Sequence, residues 1–456
     1  MAEKLSNGVD RISNLPLHLQ HLILSSMPPK NMVQTSLLSK HWTNIWCSVP
    51  HLELSNTFRE EDDRIKSHNF VDYLLLLRDG QSKVLKFRLN MQIHIEDIRK
   101  VNAWISYALK HNVEVLDLSI YTDSNDIKFI PSIFACKSLR ELTLHFCELN
   151  LPARICLPAL RFLKLNGVTI QNGKLFSVLH SLETLILGHA CFIDCSTLKI
   201  SATRLKSLKM DVQLTSSLVI SSPNLVSLEL YISQELPGAI VFHGGMEYLD
   251  DAVINIEGLY LEAAVQLLGS VKNARSLLLT VAADFDCAII KELQKDLATL
   301  KRIQFQFFNL KLLRIEIRFS HIDFVFINNL LKHSPQLESL FLRNTGGDTE
   351  TTDVRHCQDI WSKHELPHLK LVEVHGFDGT KGEVEMVEFF LKNAIVLERL
   401  IILTSKAGQE GVLPERELMK IGRKILTYPR ASSSVGILFT PIDEETLQES
   451  SRRVVF

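Results

Sequence analysis

The sequence lacks a surplus of charge of either sign. Its 456 residues contain 50 Lys and Arg against 52 Asp and Glu, so the net charge is −2. Nucleic acids and anionic membranes attract proteins through an excess of cationic side chains, and we expect neither of them as a partner. The sequence also lacks the run of about 18 apolar residues that a membrane span needs, and no apolar stretch resembling a signal peptide stands at its start. We therefore expect neither a membrane segment nor export.

The sequence has no CxxC pair and no Asn-x-Ser/Thr sequon. Its eight cysteines are scattered without a framework, which is typical of proteins in a reducing compartment. We expect a location in the cytoplasm, the nucleus or both. Cys191 and Cys195, with His189 nearby, lack a fourth ligand for zinc. We predict that these two cysteines are buried apolar thiols, and we expect no metal and no other cofactor.

Leucine, by contrast, is abundant: the chain has 73, about 16% of its residues. The pattern L-x-x-L-x-L, with one Met in place of Leu, occurs five times in succession, beginning at Leu139, Leu160, Leu182, Leu205 and Leu225. The steps of 21, 22, 23 and 20 residues lie within the roughly 20 to 29 of a leucine-rich repeat, in which each unit supplies one short strand. Residues two apart on a strand share one side, and only a neighbouring unit can cover them.

Degenerate copies of the pattern extend this array on both sides, beginning at Val84, Val113, Ala274, Leu312, Leu337, Leu369 and Leu397. Their longer spacing leaves room for helices, which we predict over residues 98–109 and 289–300, whereas the central copies leave room only for short turns or extended backs. The glycines between residues 237 and 265 indicate a loop and a distorted repeat. The array predicts an α/β fold, a curved leucine-rich-repeat solenoid with a parallel sheet on its concave face.

The first 54 residues do not follow this repeat. Helix signals predict three short helices that begin near Pro16, Asn31 and Ser39, and Pro28-Pro29 ends the first of them. Three helices of this length bury little surface by themselves. Their apolar residues nevertheless outnumber those that a cap on the first repeat requires. The segment therefore implies a partner protein.

A set of positions in this segment stands in order and without a gap: Asp10-Arg11-Ile12-Ser13, Leu15-Pro16, Ile23-Leu24-Ser25, Ser36-Leu37-Leu38-Ser39-Lys40, and Trp42 followed by Trp46. This run resembles the F-box of plant F-box/leucine-rich-repeat proteins. It departs from the usual pattern at Leu17, Met27 and His41.

The resemblance implies that this module docks onto the Skp-type adaptor of a cullin-RING ubiquitin ligase and that the repeats hold the protein to be ubiquitinated. Carried over by matching position, the implied adaptor contacts are Leu15, Pro16, Leu19, Ile23, Leu24, Met27, Val33, Leu37, Leu38, Ser39 and Trp42.

The other end of the chain carries a second resemblance. Leu369 to Phe377 and Glu383 to Ala394, which lead to Leu397 and Leu400, are similar to the FBD domain that often closes these plant proteins. We predict the following division of the chain: a disordered N-terminus (1–9), the F-box (10–54), a linker with the helix that leads into the repeats (55–80), leucine-rich repeats (81–360), FBD-like C-terminal repeats (361–430) and a C-terminal tail (431–456).

One motif suggests catalysis, but its context argues against it. His364 to His368 matches HExxH, in which both histidines of a zinc peptidase must share one face of a helix. Pro367 opposes a helix that begins before His364, so we predict a loop before the strand at Leu369. No nucleophile has a recognisable triad context.

The combined features predict a non-catalytic substrate-recognition subunit of an SCF-type ubiquitin-protein ligase. The partners would be the Skp-type adaptor, the cullin-RING ligase beyond it, and a protein substrate whose identity the sequence leaves open. The alternative is a leucine-rich-repeat scaffold or ligand sensor that acts outside a ubiquitin ligase.

Overall fold

A computed structural model shows the fold of two compact units, Met1–Leu205 and Lys206–Phe456. The structure describes residues 11–56, 61–122, 127–149, 151–171, 173–213, 217–232, 240–255, 261–281, 305–346, 360–361, 364–405 and 413–441.

The first unit begins with two short helices, α1 (Leu17–Ser25) and α2 (Pro29–Gln34), followed by single 3-10 turns at Thr35–Leu37 and Ile45–Ser48. These elements make up the N-terminal module. The first predicted helix is confirmed.

The other two helices of this module differ from the prediction. The second begins at Pro29 and not at Asn31, because the first helical position needs no backbone N–H. The third shrinks to a 3-10 turn after the bends of residues 39–44. There the indole Nε1 of Trp46 donates to the Thr43 carbonyl oxygen at 3.1 Å, and such local side-chain bonds compete with a continuing helix.

A parallel sheet fills the rest of the first unit. Its strands follow chain order: β1 (His51–Asn56), β2 (Lys86–Gln92), β3 (Val115–Tyr121), β4 (Glu141–His145), β6 (Phe162–Asn166) and β8 (Thr184–Ile193). Helices α3 (Glu61–Leu76) and α4 (Ile98–Lys110) connect the first three strands. The predicted helix near residues 98–109 is therefore confirmed, whereas β1 was not anticipated.

Leucines in register form the core of this sheet. Leu116, Leu142, Leu163 and Leu185 are aligned on successive strands, and all four are at most 1% exposed. Burying one leucine side chain stabilises a fold by roughly 1.5–3 kcal/mol. The apolar ladder predicted from L-x-x-L-x-L is thus the main source of stability here.

In the central repeats, the segment that follows each inner strand is extended and forms the back of the repeat, as the short spacing predicts. These backs are β5 (Glu148–Leu149), β7 (Thr169–Gln171) and β9 (Thr197–Ile200). A left-handed residue bends the chain from the inner strand towards the back at Phe146, Gly167 and His189, with φ of 52°, 62° and 47°. A Cβ at Gly167 would lie 2.7 Å from the Phe146 ring, so only glycine fits this bend without strain.

The second unit contains a further set of parallel strands: β10 (Ser207–Gln213), β12 (Ser227–Ile232), β14 (Asp251–Asn255), β15 (Ser276–Thr280), β16 (Leu312–Ile317), β17 (Ser339–Asn344), β18 (Leu371–Phe377), β19 (Arg399–Thr404) and β20 (Gly436–Pro441). Two extended backs, β11 (Ser217–Ile220) and β13 (Ile240–Phe242), pair in parallel. The helices of its described residues are α5 (Leu261–Ser270), α6 (His321–Lys332), α7 (Lys381–Asn393) and α8 (Glu415–Ile425).

One repeat is more regular than predicted. Residues 237–265 were expected to form a loop and a distorted repeat, yet β14 pairs in register with β12 and β15. Ala252 and Ile254 occupy the two core positions. Because alanine stands where the pattern has leucine, the sequence does not reveal this repeat. The helix predicted over residues 289–300 lies outside the described residues.

Reciprocal caps begin α6 and α7. The Ser320 and Thr380 hydroxyls accept from the backbone N–H of Asp323 and Glu383, whose carboxylates bond back to the cap residues. Burial raises the pKa of Asp323 to about 6 and that of Glu383 to about 7, although the capping bonds favour the charged forms. Both repeat helices therefore start on buried carboxyl groups.

Among the helices of the described residues, none combines the length and the apolar character that crossing a membrane demands.

Candidate functional site

The N-terminal module exposes an unusual number of leucines. Leu37 and Leu38 are 85% and 71% exposed, and Leu22 and Leu17 on α1 are 62% and 55% exposed. Single exposed leucines are common, but large apolar side chains concentrated on one small module are typical of an interaction site. We call Leu17, Leu19, Leu22, Met27, Leu37 and Leu38 the exposed leucine surface.

Helix α1 turns a polar residue inwards. Gln20 is buried, and its Nε2 donates to the carbonyl oxygens of Leu15 at 2.8 Å and Ser13 at 3.0 Å. The Trp42 indole Nε1 donates to the Ser13 hydroxyl at 2.9 Å. These bonds hold residues 13–15 against α1, so the chain enters the helix in one fixed conformation with Leu17, Leu19 and Leu22 outward.

The eleven predicted contact residues fall into three groups by exposure. Pro16, Leu19, Met27, Leu37, Leu38 and Ser39 are exposed, Leu15, Ile23 and Val33 are half-buried, and Leu24 and Trp42 are buried. The first nine can meet a partner, and their role stays a prediction. Leu24 and Trp42 pack inside the module, where they support the surface without being part of it.

Leu22 and Gln20 are not among the predicted contact residues, and Leu17 appears there only as a departure from the family pattern. The signal for the leucines was present, because α1 carries more apolar residues than one buried face of a nine-residue helix can hold. No sequence pattern predicted that Gln20 faces inward, since its three hydrogen-bond acceptors are backbone carbonyl oxygens of the preceding turn.

The module is also free of acidic residues. Between residues 11 and 52 there is no Asp or Glu, and Arg11, Lys30 and Lys40 are exposed. Burial lowers the pKa of His21, and the nearby Arg78 guanidinium lowers it further, against an opposing backbone hydrogen bond with Ile45. The His21 ring also contacts the Ser48 hydroxyl at 2.9 Å. The exposed leucine surface therefore has a positive border.

A second candidate surface is the outer face of the sheet, formed by the strand residues that alternate with the buried ones. In the first unit, ion pairs link neighbouring strands: Glu53 contacts Lys86 and Arg88, and Arg88 Nε lies 2.7 Å from an Asp117 oxygen. In the second unit, Lys209 pairs with Glu229. Most charges on this face are thus neutralised by their neighbours.

Of the two regions considered for metal binding, one has the predicted structure and the other does not. His364 to His368 form no helix and precede β18, as Pro367 predicted. Cys191 is exposed and Cys195 half-buried, so the prediction of buried apolar thiols is wrong for this pair. The cause is the left-handed bend at His189, which shifts the alternation of β8 so that Ala190 and Phe192 are buried and Cys191 faces outward.

Comparison with known proteins gives a family match for each of the two parts of the chain. The F-box domain family matches residues 12–54. The family described as At1g61320/AtMIF1, LRR domain, matches residues 78–434, which is more than half of the chain. The chain therefore belongs to this leucine-rich-repeat family and carries an F-box in front of the repeats.

Three relatives from Arabidopsis thaliana are similar to this chain. F-box/FBD/LRR-repeat protein At1g51370 is 27% identical over 96% of this chain and 98% of its own length. FBD-associated F-box protein At5g38590 is 27% identical over 90% of this chain and 97% of its own length. F-box/LRR-repeat protein At3g26922 is 29% identical over 62% of this chain and 94% of its own length. The chain has the make-up of a plant F-box/FBD/leucine-rich-repeat protein, a combination that supports a role in substrate recognition.

Proposed function

We propose that this chain is the substrate-recognition subunit of an SCF-type ubiquitin-protein ligase. The exposed leucine surface would bind a Skp-type adaptor and, through it, the cullin-RING ligase. The repeats would hold the protein to be ubiquitinated. The observation that carries this proposal is the exposure of Leu37 and Leu38 within the residues that match the F-box family.

Burial of these leucines by an adaptor supplies the affinity. Each leucine side chain transferred from water to an apolar interface contributes on the order of 1.5–3 kcal/mol, and the exposed leucine surface has six apolar members. The fixed conformation of residues 13–15 adds to this, since a surface that is ordered before binding loses less entropy on association. The positive border of the module fits an adaptor face that is acidic.

Such a subunit acts through proximity. Holding a target beside the ubiquitin-loaded enzyme converts an encounter between two molecules into a reaction within one complex. No acid, base or nucleophile of this chain is required, and we propose that it is not itself an enzyme. We further propose that it works in the cytoplasm or the nucleus.

The test is binding of the full chain to a purified Skp-type adaptor, measured by isothermal titration calorimetry. Leu37→Glu with Leu38→Glu should lower the affinity at least a hundredfold, because two charges would enter an apolar interface. The matched control is Tyr248→Glu with Phe308→Glu, two similarly exposed apolar residues of the second unit, which should bind as the wild type does. Leu15 is a poorer choice, since it is half-buried in the module and its substitution would also disturb packing.

Affinity should also fall as salt is raised, because the positive border contributes through long-range attraction. A wild-type chain that is folded and yet binds no Skp-type adaptor would contradict the proposal and favour a scaffold or sensor outside a ubiquitin ligase. Equal losses for the leucine pair and the control pair would show that the N-terminal surface is not the adaptor site.

A further inference from the structure

The outer face of the second unit changes character along its middle row. From β14 to β20, the strand register aligns Val253, Leu278, Arg314, Phe341, Glu373, Ile401 and Leu438. Five of these seven residues are apolar, although they alternate with the buried core positions and face away from the core. An apolar row on a sheet face that is otherwise charged is unusual for a surface that meets only water.

Arg314 is the unusual charge in this row. Its guanidinium carbon lies 4.9 Å from the centroid of the Phe341 ring, and it forms no ion pair with another described residue. Of the other charges of this region, Arg343 pairs with Glu316 at 3.5 Å, and Glu373 lies 3.3 Å from the His375 ring. Arg314 is therefore the one cation of this row, and an aromatic ring supports it.

This arrangement suits a carboxylate. A guanidinium over an aromatic ring keeps its N–H donors at the edge of its plane, where a planar carboxylate accepts two of them. A phosphate dianion fits less well, because Arg314 stands alone and the next outward residue on its strand is the acidic Glu316. The apolar neighbours Leu278 and Phe341 add a surface for aliphatic or aromatic side chains.

We propose that the second unit binds a segment of a partner protein that presents one Asp or Glu carboxylate to Arg314 and apolar side chains to Leu278 and Phe341. This proposal rests on the proposed function, because it names the class of protein segment that the repeats recognise. The segment is acidic at one position and apolar on both sides of it.

The probe is a phage-displayed library of random 12-residue peptides, selected on the full-length chain. Enriched peptides should share one acidic residue flanked by aliphatic or aromatic residues. A synthetic peptide of that consensus should lose at least tenfold in affinity for Arg314→Ala, and the same peptide with its acid changed to the amide should lose a similar factor. The two losses should not add, since both remove one contact.

Three further variants sharpen the result. Arg314→Lys keeps the charge without the planar fork and should recover only part of the affinity. Phe341→Leu should weaken binding less than Arg314→Ala. Lys209→Ala removes a cation from the same face that Glu229 already neutralises, and it should leave peptide affinity unchanged.

Enriched peptides without an acidic residue, an unenriched library, or an Arg314→Ala variant that binds the consensus peptide as the wild type does would each overturn this inference. Adaptor binding is measured on the same samples. A chain that binds the adaptor and ignores acidic peptides refutes only this site, whereas a chain that binds acidic peptides through Arg314 and no adaptor refutes only the ligase role. If Arg314→Ala does not fold, Arg314→Gln takes its place and the amide peptide still tests the contact.

Discussion

The N-terminal module and the repeats use the same residue for opposite purposes. In the repeats, leucines in register such as Leu116 and Leu142 are completely buried, and they hold the strands together. In the module, Leu37 and Leu38 are more than two-thirds exposed, although Leu24 of the same module is buried. The difference teaches that abundance of leucine indicates neither a core nor an interface until its neighbours are known.

The largest expected effect comes from removing a repeat leucine. Leu118→Ala in β3 creates a cavity beside Leu89 and Leu144, and such changes cost roughly 2–5 kcal/mol of unfolding free energy. Leu37→Ala in the module should change that free energy by less than about 0.5 kcal/mol. Urea unfolding of the two variants measures both values. Similar losses for the two would remove the distinction between the regions.

A second prediction concerns the buried polar groups of the two regions, Gln20 in the module and Glu383 in α7. Burial raises the pKa of Glu383 from 4.5 to about 7, so ionisation is disfavoured in the folded state. Below about pH 4.5 both states are protonated and the contribution is fully present; it is lost as the pH rises through 7, where the unfolded chain has already ionised.

Glu383→Gln should therefore flatten the decline of stability between about pH 4.5 and pH 7, by at most about 3 kcal/mol. Stability is followed by urea unfolding at several pH values. Glu388→Gln on the same helix removes a carboxylate that pairs with Lys392 near the surface and should leave the decline in place. Gln20 has no charge to titrate, so it contributes nothing to this decline. If Glu383→Gln retained the full decline, the assignment to this residue would be wrong.

A third prediction concerns the close packing of the repeat helices. A Cβ added to Gly382 in α7 would lie 2.5 Å from the Phe324 ring of α6, so Gly382→Ala should cost about 1–3 kcal/mol. Gly80 follows α3 near the module and has nothing within 4 Å of such a Cβ. Gly80→Ala should be close to neutral. Thermal unfolding separates the two, and an unchanged melting temperature for Gly382→Ala would show that the two helices can move apart freely.

The smallest effect is expected for surface charge. Lys209→Ala removes the exposed ion pair with Glu229 on the outer face of the sheet, and exposed pairs contribute roughly 0–1 kcal/mol. A loss within that range, measured by urea unfolding in low and high salt, would sharpen the contrast with the buried leucines. A loss above 2 kcal/mol would mean that charges stabilise the repeats as much as their core does.

Much of this fold was predictable because a leucine-rich strand is recognisable from residues within a single repeat. The spacing of the five regular copies, the longer steps with α4 behind them and the short extended backs all follow from residues within one repeat. β1 and β14 were not predicted. In β1, Leu52 and Leu54 occur without the third leucine of the pattern, and in β14 Ala252 stands at a leucine position.

The candidate site was predictable in part for the same reason. The order of residues 10 to 46 was sufficient to indicate an F-box, and residues 12–54 match that family. Which of its apolar residues point outward was not predictable, because Leu24 and Leu22 are chemically alike and only packing separates them.

The sequence by itself determined the class of this protein: local periodicity set the repeats, and an ordered run of residues set the N-terminal module. Only the tertiary structure decided which leucines are core and which are surface, that Cys191 faces outward, and that Arg314 rests on Phe341. The reason is physical. Periodicity reports neighbours within one strand or helix, whereas exposure and charge pairing depend on residues about 20 to 40 positions away that the stacking of repeats brings together.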